Sequence, residues 1–144
     1  MLGAYEIYKH MAKVSERYGA LKELFESFGD TAKSMLGAEN CPVRGIHFDL
    51  EYQSDRFFVR FAGRCVCFAF FADVGSKGSY HAQVKCSLAD PVTKTLGTTV
   101  ETFSFNGQGE TEIKLPPDGD VISVSSKKGP AYIVLHMLNE ALDK

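Results

Sequence analysis

Residues 57–71, Phe-Phe-Val-Arg-Phe-Ala-Gly-Arg-Cys-Val-Cys-Phe-Ala-Phe-Phe, restrict the fold more than any other stretch of the chain. A strand wetted on one side alternates apolar with polar residues, whereas a strand covered on both sides reads as a continuous apolar run. The block therefore predicts a β-hairpin with cover on both faces. Gly63-Arg64 suits a type II′ turn, because glycine takes the first central position without steric cost. That turn sets Val59 opposite Phe68, Phe61 opposite Val66 and Phe57 opposite Phe70, and puts Arg60 opposite Cys67. One face, called face A here, carries Phe57, Val59, Phe61, Val66, Phe68 and Phe70. Face B carries Phe58, Arg60, Ala62, Cys65, Cys67, Ala69 and Phe71. The Phe residues of face A bury about 150 Å² or more each, too large a patch to leave wet.

The natural cover precedes the hairpin. Ile7, Met11, Val14, Tyr18, Leu21, Phe25, Phe28, Ala32 and Met35 alternate spacings of four and three, which lines them along one stripe of a helix over residues 5–36. Such a stripe also fits a coiled-coil arm, but Tyr18, Phe25 and Phe28 are bulky for that seam, so a helix lying on a sheet is preferred. Gly29-Asp30 is a place where this helix can kink or divide. Gly37 to Pro42 ends it.

Strands follow. Ile46, Phe48, Leu50 and Tyr52 alternate with polar residues as a half-buried strand does. After the hairpin, Gly75 to Gly78 forms a turn into a strand of Tyr80, Ala82, Val84, Cys86 and Leu88. Asp90 to Gly97 is a loop, and residues 98–105 and 110–115 form a second hairpin across Asn106 to Gly109. A two-residue turn there would oppose Glu101 to Glu112; a four-residue loop opposes Glu101 to Lys114 and is preferred, since like charges directly opposed are destabilising. Pro116 to Gly119 breaks the chain, Val121 to Val124 is a short strand, and Pro130 opens a last helix with Gly129 or Ser126 as its cap. The expected fold is α+β: a long N-terminal amphipathic helix, an antiparallel sheet of about six strands built as a meander of hairpins, and a C-terminal helix packed on the sheet. Face B is covered either by the C-terminal helix or by a second subunit; both helices on face A with a second subunit on face B is the preferred arrangement.

A chain of 144 residues with 44 % hydrophobic content fits one domain, 1–144. A formal charge of −2 with mixed signs gives no electrostatic case for nucleic acid or an anionic membrane. The longest apolar run, Cys65 to Ala72, is far short of the ~20 residues of a membrane helix. Met1 to Glu6 has neither a basic start nor an apolar core of a leader, so a cytoplasmic location with reduced thiols is expected.

Three constellations could carry chemistry. Cys65, Cys67 and Cys86 with His47 or His81 could ligate zinc, but ligands two apart on a flat strand chelate poorly, so the thiols read as core and no metal is assigned. His47, Asp49 and Glu51 share one strand face, as do His81, Gln83 and Lys85; if those strands were neighbours, Arg60, His81, Lys85 and Asp49 would form a ligand-binding group. A solvated sheet face is the simpler reading. Ser126, Lys127, Lys128 and Gly129 precede a helix N-terminus and could hold an anion, although Ser126 capping the helix explains them equally. No catalytic residue and no cofactor is assigned, because no nucleophile elbow, metal-binding helix or phosphate loop is present. The expectation is a non-enzymatic, homodimeric protein-interaction module, adaptor-, chaperone- or inhibitor-like. A small-ligand binder or enzyme with a pocket between sheet and C-terminal helix is the alternative.

Overall fold

A computed structural model describes residues 3–74, 80–115 and 120–144. The chain runs α1 (Ala4–Leu36), β1 (His47–Glu51), a 3₁₀ turn (Tyr52–Ser54), β2 (Arg56–Phe61), β3 (Arg64–Asp73), β4 (His81–Ala89), β5 (Leu96–Asn106), β6 (Glu110–Leu115), β7 (Asp120–Ser123) and α2 (Gly129–Leu142). Each strand pairs antiparallel with the next in one meander of seven. The α+β architecture is the expected one, with seven strands for about six. The turn placed at 75–78 and the breaker at 116–119 lie outside the described residues. Among the described residues, no helix is long and apolar enough to cross a membrane.

The β2–β3 hairpin turns one residue earlier than expected. Its central residues are Ala62 and Gly63, with φ of 52° and 79°, the pair of positive values that a type I′ turn requires. The register therefore pairs Phe57 with Phe68, Val59 with Val66 and Arg60 with Cys65, correcting the pairs read from a Gly63-Arg64 turn. Ala62 accepts a left-handed conformation that costs an L-residue about 1–2 kcal/mol. In return Phe57 stacks on Phe68, with ring centroids 4.8 Å apart and planes 8° apart. A slip of two leaves every side chain on its own face, so the division into faces A and B stands.

The second hairpin also differs in register. Asn106 Oδ1 accepts the N–H groups of Gln108 and Glu110, each at 3.0 Å, and Gly109 has φ of 82°. This three-residue loop sets Phe105 opposite Thr111, so Glu101 faces neither Glu112 nor Lys114. Glu112 instead accepts the Ser104 N–H at 3.0 Å, and Glu101 meets α2 through His136 Nε2 at 3.0 Å.

Both helices lie on face A. Leu21, Phe25, Phe28, Ala32 and Leu36 of α1 and Ile133, Val134, Met137, Leu138 and Ala141 of α2 form one core with Phe57, Phe68, Phe70, Val84 and Phe103 of the sheet. Complete burial of a large apolar side chain stabilises by about 1.5–3 kcal/mol. The Phe25 ring stacks on Phe70 at 5.2 Å and meets Phe57 at 5.4 Å. α1 runs unbroken through Gly29-Asp30, and Gly29 is buried where Tyr52 packs against the helix. It ends at Gly37, whose N–H donates to the Lys33 carbonyl at 3.0 Å.

Candidate functional site

Face B is covered by the chain's own cations at Phe58 and is left open at Phe71, which is 56 % exposed, so the expected cover on both faces holds for only part of the hairpin. Phe58, Cys65 and Cys67 are buried as a second, small apolar cluster. The Arg56 guanidinium sits 5.0 Å and the Lys94 ammonium 4.9 Å from the Phe58 ring centroid. Both heads are held by carboxylates: Arg56 Nε donates to Glu51 Oε1 at 3.0 Å, and Lys94 Nζ bridges Asp49 and Glu51. Lys94 reaches them from a turn built on Asp90, whose Oδ1 accepts the Val92 and Thr93 N–H groups at 2.8 and 2.9 Å; Lys94 itself takes φ of 62°. Long stems thus shield the apolar cluster while the charged heads stay at the water boundary. Hydrogen bonding to Lys94, and secondarily to Arg56, holds the Glu51 carboxyl below its usual range. Burial pushes the Cys65 thiol up, and the Cys67 thiol to about 11, so neither is a ready nucleophile.

The candidate ligand group does not assemble. Asp49 and Arg60 line one cleft of about 410 Å³ together with Phe58, Cys65 and Lys94. His81 and Lys85 stand on β4, separated from β1 by two intervening strands, where their register partners on β3 are Asp73 and Ala69. The zinc grouping fails on geometry too: Cys86 pairs with Phe68 and points into the face A core, away from Cys65 and Cys67. No cluster of three or more metal-binding side chains occurs among the described residues. At the start of α2, Ser126 Oγ accepts the Gly129 N–H at 3.0 Å and donates to the Ser123 carbonyl at 3.0 Å. Ser126 thereby takes up the amide that an anion would need. Lys127 and Lys128 border a cleft of about 400 Å³ that also contains Asp30.

A different surface stands out. The α1 stripe is wholly buried at Leu21, Phe25 and Phe28, yet Ile7 is 48 % and Met11 55 % exposed. The change occurs at Tyr18, whose hydroxyl donates to Asp55 at 3.1 Å and whose ring touches Phe70 at 5.8 Å. Toward the N-terminus from there, the apolar stripe continues along α1 with Val14 half-buried and Ile7 and Met11 exposed. Tyr5 and Tyr8, beside the stripe, are 74 % and 77 % exposed.

No protein-family model, curated protein or solved structure matches this chain.

Sequence reasoning missed Arg56 and Lys94 as the cover of Phe58, since Lys94 reaches it only through a left-handed turn. It missed Tyr5 and Tyr8 because they fall off the stripe. A signal for them exists: between residues 4 and 20, Glu6, Lys9, His10, Lys13, Glu16 and Arg17 all fall on one side of the helix, and the half containing Tyr5, Tyr8 and the stripe has no charge.

Proposed function

We propose that this protein is a non-enzymatic protein-interaction module whose docking face is the N-terminal half of α1. The supporting observation is one apolar stripe that is fully covered at Leu21, Phe25 and Phe28 but left open at Ile7 and Met11. Exposed Tyr, Ile and Met on an uncharged helix face have the composition of an interface core. Amphipathic helices engage protein partners through such rows of anchors. A small-molecule site between the sheet and α2 has less support, because Ile133, Val134 and Met137 fill that space with no exposure.

The test is a photo-crosslinking amino acid placed at Met11 in cells producing the full chain, with the same group at Lys85 on face B as control. The reading expects discrete protein adducts from position 11 and none from position 85. Position 11 yielding no discrete adduct would contradict it.

A further inference from the structure

We infer that the partner of this helix face is a second copy of the chain, its α1 running antiparallel; this rests on the docking role proposed above and names its occupant. A second row of side chains lies beside the stripe. Tyr5 and Tyr8 stand at its N-terminal end, and Ala12, Ser15 and Gly19 continue it, so bulk is concentrated at one end and space at the other. Gly19 lies within a helix of 33 residues, where glycine weakens the helix relative to alanine. Nothing among the described residues accounts for it: a β-carbon at Gly19 would meet no atom within 4 Å.

An antiparallel copy related by a two-fold axis beside Ala12 brings Tyr5 over Gly19 of its mate and Tyr8 over Ser15. The same axis sets Met11 near Val14 and Ile7 near Tyr18. A two-fold interface is self-complementary by construction, so each large residue finds a small one twice. A parallel pair would instead gather all four tyrosines at one end of the interface and the small residues at the other. The charged side chains of residues 4–20 spring from the opposite half of the helix, and Lys9, whose Nζ lies 5.4 Å from the Tyr5 ring centroid, borders the paired face.

The area is adequate for a modest affinity. Two aromatic side chains of at least about 150 Å² each, mostly exposed, together with Ile7 and Met11 amount to roughly 500 Å² per copy. The pair then covers about 1,000 Å², the lower limit for a specific interface.

Sedimentation of the full chain between about 1 µM and about 1 mM tests this. The mass is expected to rise from 15.9 kDa toward twice that value. Met11→Glu, at an exposed site, is expected to fold and to weaken association at least about tenfold. Gly19→Leu is expected to raise thermal stability of the monomer while weakening association, because it fills the space reserved for the mate's Tyr5. A mass of 15.9 kDa at every concentration, or association unchanged in both variants, overturns the inference. Crosslinking from position 11 to a protein of another mass, without self-adducts, overturns this inference alone and leaves the docking reading standing. Absence of any adduct removes both.

Discussion

The hydroxyl of Tyr52 occupies the space of a side chain at Gly29: a β-carbon built there lies 2.3 Å from Tyr52 Oη. The same hydroxyl donates to Asp30 Oδ1 at 2.9 Å and to the Glu26 carbonyl at 3.1 Å, tying the 3₁₀ turn to the middle of α1. Glycine at 29 is thus a packing requirement within a helix that runs on to Leu36.

Gly29→Ala should therefore destabilise, although Gly to Ala inside a helix ordinarily stabilises by about 1 kcal/mol. Displacing Tyr52 breaks its hydrogen bonds and disturbs its packing, for an expected loss of about 2 kcal/mol. Urea denaturation of Gly29→Ala, Tyr52→Phe and the double variant forms a cycle. The double variant should lose less than the sum of the singles, because removing the hydroxyl makes room for the methyl. Simple additivity would show that the two residues do not compete for this space.

Ala62 offers the opposite case. Its φ of 52° is one that alanine adopts with strain, and glycine or asparagine adopts readily. Ala62→Gly and Ala62→Asn should each raise stability by about 0.5–1 kcal/mol, the latter creating the Asn-Gly pair favoured in type I′ turns. Thermal unfolding reads this directly; a lower midpoint in both variants would contradict the turn.

The clamp over Phe58 predicts a pH dependence. Glu51 ionises more readily in the folded chain, held mainly by Lys94, than at its ordinary value of 4.5. Its contribution is complete above that value and fades as pH falls through the lower folded value. Glu51→Gln should cost about 0.5–1 kcal/mol at pH 7, as expected of a partly exposed ion pair. The gap between variant and parent should narrow as pH falls below 4.5. Urea midpoints measured at neutral and acid pH check this; a gap that is constant or widens on acidification would contradict it.

The thiols should divide into two classes. Cys65, Cys67 and Cys86 are buried free thiols and Cys41 is half-buried. Burial raises the pKa of all three buried thiols, Cys86 well above the ordinary value. Iodoacetamide on the native protein should label Cys41 alone, with the other three labelled only on unfolding, as peptide mass spectrometry would show. Native labelling of Cys65 or Cys67 as fast as Cys41 would mean that the Arg56–Lys94 cover is not in place.

Much of this fold was readable because period and face survive small errors. The four-three spacing from Leu21 to Ala32 identified the helix that covers face A. The hairpin faces survived a wrong turn because a slip of two preserves side-chain direction. What could not be read depended on residues distant in sequence or on unusual backbone. The need for glycine at 29 depends on Tyr52, and the loop after β5 on the side chain of Asn106. The cover of Phe58 depends on Lys94 in a left-handed conformation. His81 and Lys85 looked like partners of Asp49 because alternation reveals a face, not which strands are adjacent.

The central claim is that the uncharged half of α1 between residues 4 and 20 is covered in solution by a second copy. Amide hydrogen exchange at low and high protein concentration tests it most directly. Peptides from Ala4 to Arg17 should exchange more slowly as concentration rises, while those from Leu21 to Leu36, already buried under the sheet, stay unchanged. Exchange in residues 4–17 that is independent of concentration would contradict the account.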